Sequence, residues 1–252
     1  MPIKDIIGLI TKNITTMKKH IFLFTLLVLS VLSIQLNAQQ GKWVGTVKYQ
    51  LTWTGDIPAE AQLPTEWETK IFENKTKSMS FMWAMSGLPA TELTDAARKT
   101  VTFMFDFSMI PMEELNGKWF IRKKLTDEDF AGITYKETGN TKEIAGKKVK
   151  EFVCTSKDQE GVEVSETIWA CEEMGPSSDM MLYPGLKAMP FEYKVDLSET
   201  ISCSFKVVEL IEGKVKNTEL ILEAGYEELT EEEFMEKLQS AMGGEAGGEE
   251  EF

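Results

Sequence analysis

Hydrophobic side chains recur at every second position over much of this chain, a spacing that selects β-strands. Trp43, Val47, Tyr49, Leu51 and Trp53 share one parity, while Thr46, Lys48, Gln50 and Thr52 occupy the other. Successive side chains of an extended chain point to opposite faces, so the pattern describes a long strand with one face buried. Gly55-Asp56-Ile57-Pro58 and Leu63-Pro64 interrupt it and predict a loop over residues 55–66. One-sided loading recurs at 67–73 (Trp67, Ile71), 77–83 (Met79, Phe81, Trp83), 100–107 (Val101, Phe103, Phe105, Phe107), 191–197 (Phe191, Tyr193, Val195, Leu197) and 201–210 (Ile201, Cys203, Phe205, Val207). A last strand is expected near 215–222. Asn116-Gly117, between Leu115 and Trp119-Phe120-Ile121, is a hairpin-type turn signal, and residues 147–154 and 162–170 flank the polar Lys157 to Gly161 as a second hairpin.

About ten strands with hairpin connections predict a mainly β fold, a curved antiparallel sheet or half-barrel. One helix is expected at the carboxyl end. Thr230-Glu231-Glu232-Glu233 forms a capping box, Phe234, Leu238 and Ala241 make a packing stripe, and Gly243-Gly244 stops it. Residues 85–99 read as either a short helix or a loop. Residues 172–190, broken by Gly175-Pro176, Pro184-Gly185 and Pro190, read as a long apolar loop of the kind that serves as a functional segment or lid.

The amino-terminal 38 residues read as a signal peptide. Met17-Lys18-Lys19-His20 precedes an apolar run over residues 21–32, and the small Ala38 marks the expected cleavage site. The run is shorter than the roughly 20 residues that span a bilayer, so stable membrane insertion of the mature chain is not expected. Met17 opens a better signal than Met1, which leaves the start codon open between them. No Cys stands immediately after Ala38, so the lipidation site of a bacterial lipoprotein is missing and a soluble periplasmic or secreted protein is expected. The 252 residues then divide into the signal (1–38), one β-rich domain (39–242) and an acidic flexible tail (243–252).

The formal net charge is −14, and removal of the signal takes away four lysines against one aspartate. Such a chain repels nucleic-acid phosphates and anionic lipid surfaces. His20 is the only histidine and leaves with the signal, so imidazole-dependent catalysis and His-ligated zinc are excluded from the mature protein. The carboxylate runs Glu113-Glu114, Asp127-Glu128-Asp129, Glu172-Glu173 and Glu231 to Glu233 read as solvated turns and a helix start rather than an acid pair converging across a cleft. No catalytic residue and no cofactor is expected, and the protein reads as a non-enzyme.

Three cysteines, Cys154, Cys171 and Cys203, allow at most one internal disulfide in an oxidising compartment. In the second hairpin Cys154 faces roughly residue 165, which disfavours a bridge to Cys171; three buried thiols are the plain alternative. The methionines Met79, Met82, Met85, Met109 and Met112 are spaced as soft thioether ligands for copper(I), or as adaptable packing. The aromatics Trp53, Phe81, Trp83, Phe103, Phe105, Trp119, Trp169, Phe191 and Tyr193 either fill a core or line an apolar ligand cavity in a half-barrel.

Four segments carry a family resemblance: Gly41 to Tyr49 (GKWVGTVKY), Lys142 to Phe152 (KEIAGKKVKEF), Glu166 to Ala170 (ETIWA) and Glu223 to Thr230 (EAGYEELT). Over most of residues 41–235 the chain resembles the domain-of-unknown-function 4412 family, secreted or periplasmic proteins found mainly in Bacteroidota. The resemblance implies a fold related to periplasmic lipoprotein carriers and brings no enzymatic residues with it. The expected function is therefore non-enzymatic binding of an apolar ligand, a lipid or lipidated peptide, in the periplasm. The alternative is an interaction or structural module for a cell-envelope protein, with copper(I) binding as a minor third.

Overall fold

The computed structural model describes residues 43–57, 61, 63–109, 115–157, 161–175 and 182–241. The expected signal peptide with Ala38 and both candidate start codons, the acidic tail, Met112 and residues 176–181 lie outside the described residues. The strands are β1 (Val44–Gly55), β2 (Glu66–Phe72), β3 (Lys75–Met79), β4 (Thr91–Asp95), β5 (Thr100–Asp106), β6 (Lys118–Lys124), β7 (Thr134–Ile144), β8 (Lys147–Lys157), β9 (Glu163–Cys171), β10 (Met189–Asp196), β11 (Ile201–Glu212) and β12 (Glu227–Glu228). Two α-helices accompany them among the described residues, α1 (Phe81–Met85) and α2 (Glu231–Ala241).

All twelve strands form one open curved sheet in the order β12-β6-β5-β4-β3-β2-β1-β11-β10-β9-β8-β7. The fold is mainly β, as the alternation implies. Two antiparallel meanders, β1 to β6 and β7 to β11, join where β11 returns to pair with β1. Gly45 permits that central pairing, because a Cβ there would lie 2.3 Å from the Ile211 carbonyl oxygen. Only the short β12 runs parallel to its neighbour, β6.

Register assigns each side chain to a face. Tyr49 lies opposite Val207 and Trp67, Leu51 opposite Phe205, and Tyr193 opposite Phe205, which puts the predicted apolar parity on one inner face. There Tyr193 stacks on Phe205 at 4.8 Å, and Tyr49 and Phe81 meet Phe205 edge-on. The Tyr49 hydroxyl donates to the Pro190 carbonyl at 3.0 Å, so burial leaves its polar end satisfied. The described part of residues 172–190 closes over this core through Met174, Tyr183, Leu186 and Ala188, all buried. The outer face carries cross-strand ion pairs such as Lys48–Glu209. Residues 213–226 cross it, with Glu219 bonded to Lys70, Glu223 to Lys77, and Leu222 and Tyr226 packed on Leu93, Met104 and Phe120.

α2 follows its sequence signals. Thr230 N–H donates to the Glu233 carboxylate at 2.8 Å, and Glu233 N–H to the Thr230 hydroxyl at 3.1 Å. Phe234 and Leu238 then bury against Phe105, Phe107 and Ile121.

Five local expectations are corrected. The strand at 77–83 ends at Met79, and Phe81 to Met85 coil into α1, where Ala84 N–H donates to Ser80 C=O; Met and Ala support the turn, and Gly87 follows it with φ 81°. Thr91 to Asp95 is neither helix nor loop but β4, since the hydroxyls of Thr76 and Thr94 bond each other across β3 and β4 and remove the cost of burying polar groups. Asn116-Gly117 is not a two-residue turn: the link from β5 to β6 runs through residues 107–117, and Phe107 N–H donates to Gly117 C=O. β7 appears where no strand was expected, because an edge strand with exposed polar side chains on both faces has no alternation to show. Residues 215–222 form no strand, because Asn217 to Glu219 turn as a 3-10 segment and the chain crosses the outer face instead of pairing.

Candidate binding groove

A cross-strand row on the inner face, Glu92 opposite Phe103 and Phe103 opposite Ile121, forms the floor of a groove. α1 is the roof. Ser80 N–H donates to the Ala90 carbonyl at 2.7 Å, which anchors the start of α1 beside β4, and Phe81 and Trp83 descend toward the floor. Trp83 meets Phe103 edge-on at 6.2 Å, Phe105 at 5.1 Å and Phe234 at 5.8 Å, so one indole joins α1, the sheet and α2. The groove has a volume of about 190 Å3, with Met82, Lys123 and Glu231 around its mouth.

The electrostatics are acidic. Glu92 is only 5% exposed and sits among aromatic walls, while Glu231 opens the first turn of α2 at the rim. Lys123 also lines the groove, but its ammonium is 3.2 Å from the Asp129 carboxylate. Asp129 is itself held below the usual carboxylate range, first by the Thr126 backbone N–H and then by Lys123.

Of the sequence-predicted cavity residues, Phe81, Trp83 and Phe103 line this groove. Trp53 stacks on Phe81 at 5.9 Å from alongside, its Nε1 donating to the Pro64 carbonyl at 2.7 Å. Phe105, Phe191 and Tyr193 are buried as core. Trp119 donates Nε1 to the Leu115 carbonyl at 3.1 Å and carries Lys237 over its ring. Trp169 lies opposite Glu151 and Glu192, and the Lys142 ammonium sits 4.1 Å from its ring centre. Of the candidate methionines, the four among the described residues do not converge: Met82 is at the groove mouth, Met85 packs on the main core, Met79 faces outward from β3, and Met109 is 91% exposed.

Sequence reasoning missed Ser80, Glu92, Ile121, Lys123 and Glu231. Glu92 sits in Thr-Glu-Leu-Thr-Asp, where a single apolar residue among four polar ones gives no alternation by which the strand could be found. Elsewhere, Cys154, Cys171 and Cys203 are free and buried. Cys154 pairs with Glu166, one position from the expected 165. Burial pushes the Cys154 thiol up to about 11 and the Cys203 thiol up to about 12, so neither supplies thiolate near neutral pH.

No protein-family model matches this sequence, and no curated protein does. Among solved structures the chain resembles one described as "Structure of PNGF-II in P21 space group", with a TM-score of 0.50 and 11% sequence identity. The match covers 79% of this chain and 34% of that one, so the chain spans about a third of the length of the structure it matches. At that identity the likeness concerns the fold alone.

Proposed function

We propose that this is a non-enzymatic protein of the cell envelope, exported by its amino-terminal segment, which binds a small apolar anchor group of a partner in the groove between α1 and the start of α2. The observation that carries the reading is the groove's size and lining: about 190 Å3, walled by Phe81, Trp83 and Phe103. A lipid carrier needs a larger apolar cavity, in the range of roughly 300–1,000 Å3 that drug-sized ligands occupy. The buried Tyr183, Leu186, Phe191 and Tyr193 fill the inner face where such a cavity would lie. An interaction module with one side-chain-sized pocket therefore suits the geometry better than a carrier does. The resemblance to secreted and periplasmic proteins supports the envelope location, and the raised thiols support a non-catalytic role.

Straight-chain alcohols from butanol to hexadecanol, titrated while tryptophan fluorescence is followed, test the proposal. Affinity is expected to climb by about 0.8 kcal/mol per methylene for the short chains and then level off as the groove fills. A climb that continues to hexadecanol would replace it with the carrier reading. Absence of binding at every length would remove the groove from the function.

A further inference from the structure

We infer that the outer face of the sheet carries a second site, separate from the groove, which takes the phosphate group of a small soluble phosphate monoester. Of the 27 lysine and arginine residues two are arginine, Arg98 and Arg122, and both line one cleft of about 380 Å3 between the outer face and the crossing segment 213–226. Register places the cleft's polar groups. Leu93 lies opposite Thr102 and Thr102 opposite Arg122, while one row along Lys75 lies opposite Asp95 and Asp95 opposite Thr100. Arg98 sits in the turn between β4 and β5, where its backbone N–H donates to the Asp95 carboxylate at 3.1 Å. Leu220 and Leu222 of the crossing segment supply an apolar wall.

Both guanidinium groups stand near carboxylates without hydrogen-bonding them: Arg98 Nε is 3.7 Å from Asp95 and Arg122 Nη1 is 4.0 Å from Glu228. Lysines of the same face close their pairs, with Lys48 and Lys77 each 2.8 Å from a glutamate. Arg122 is nonetheless held in place, its guanidinium carbon 5.1 Å from the Phe120 ring centre and its Nε 3.5 Å from the Thr102 hydroxyl. Lys75 donates to the neutral Asn217 amide oxygen at 3.0 Å, a bond that leaves its charge uncancelled. Three cations and one carboxylate therefore line the cleft, a local excess of positive charge on a chain of net charge −14. A guanidinium fork offers paired N–H donors that match the oxygens of a phosphate, and two forks with an ammonium suit a dianion better than the single charge of a carboxylate. The negative field of the rest of the chain repels extended polyanions and anionic membranes, which selects a small free ligand.

Calorimetric titration of the purified full chain with phenyl phosphate, benzoate and inorganic phosphate at neutral pH tests the assignment. Phenyl phosphate is expected to bind roughly tenfold tighter than benzoate, the size of one further charge-assisted hydrogen bond. Inorganic phosphate should bind more weakly than phenyl phosphate, because it leaves the wall of Leu220 and Leu222 unused. Benzoate binding as tightly as phenyl phosphate would overturn the phosphate assignment, inorganic phosphate binding as tightly would overturn the monoester, and no binding of any probe would overturn the site. Arg98→Lys and Arg122→Lys keep the charge and lose the fork; each is expected to weaken phenyl phosphate about tenfold with Tm unchanged, since both side chains are largely exposed. No arginine lines the groove, so these variants also separate the two sites, and undiminished affinity in both would overturn the role of the cleft. Vesicles of equimolar phosphatidate and phosphatidylcholine separate the sources of phosphate. The protein is expected to stay in solution, and co-sedimentation that the arginine variants abolish would overturn the free ligand in favour of a lipid head group.

Discussion

Phe234→Ala measures how firmly α2 belongs to the core that shapes the groove. Phe234 is fully buried, with ring centres 4.3 Å from Phe105, 6.3 Å from Phe107 and 5.8 Å from Trp83. Deleting a buried phenyl ring costs about 3–5 kcal/mol, from the lost transfer free energy and the cavity left behind. The three facing rings sit on β5, just beyond its end and on α1, and Trp83 is further held against Phe103, so the site cannot collapse around the gap without opening the groove. The loss should therefore be about 4 kcal/mol. At roughly 2–4 °C per kcal/mol for a domain of this size, Tm should fall by about 8–16 °C. Urea unfolding followed by circular dichroism gives the free energy, and an unchanged m value would show that α2 unfolds with the sheet. A loss below about 1 kcal/mol, or a smaller m value, would refute the placement of α2 as a structural wall.

Two further outcomes follow from the side-chain environments. With the thiols of Cys154 and Cys203 pushed up to about 11 and about 12 by burial, and the buried Cys171 thiol raised by the same cause, none should react with Ellman's reagent at pH 8 until urea is added, when all three should react; a fast native thiol would contradict the packing. The Asp106 carboxyl is held down at about 2, first by the Lys118 ammonium 2.7 Å away and then by Ser108. A carboxyl lowered on folding contributes stability above its unfolded pKa and loses it as pH falls through the folded value. Asp106→Asn should thus cost about 0.5 kcal/mol at pH 7, small because the pair is exposed and screened, and the difference from wild type should vanish between about pH 4 and pH 2. A cost that persists below that range would contradict the ion pair.

The strands that carry large residues on one parity were legible, because β1, β10 and β11 bury one face against the core and leave much of the other polar, and β5 keeps its aromatics on one parity although Met104 on the other is buried as well. β4 and β7 were not. Glu92 and Thr94 turn polar groups inward where other strands turn apolar ones, and β7 exposes both of its faces, so neither produces a period-two hydrophobic signal. α1 was misread for a related reason. Phe81 and Trp83, two positions apart, satisfy a strand pattern, and five residues are too few for helical periodicity to emerge. The aromatic content of the groove could be read one residue at a time, but its convergence could not: Phe81, Glu92, Phe103, Ile121 and Glu231 come from five elements that only the sheet order brings together. The same topology buries Phe191 and Tyr193 under Tyr183, which the loop at 172–190 carries inward; nothing local distinguished a core-filling loop from a lid.

The six indole N–H signals of a 15N-labelled sample, followed while 1-hexanol is added, test the groove most directly. Trp83 lines the groove, whereas Trp43 packs at the far end of β1 and Trp169 lies under Lys142. Saturable movement of the Trp83 signal is expected, with a smaller shift at Trp53 through its stack on Phe81 and none at Trp43 or Trp169. A Trp83 signal that stays fixed while others move, or uniform drift of all six, would contradict a binding site between α1 and α2.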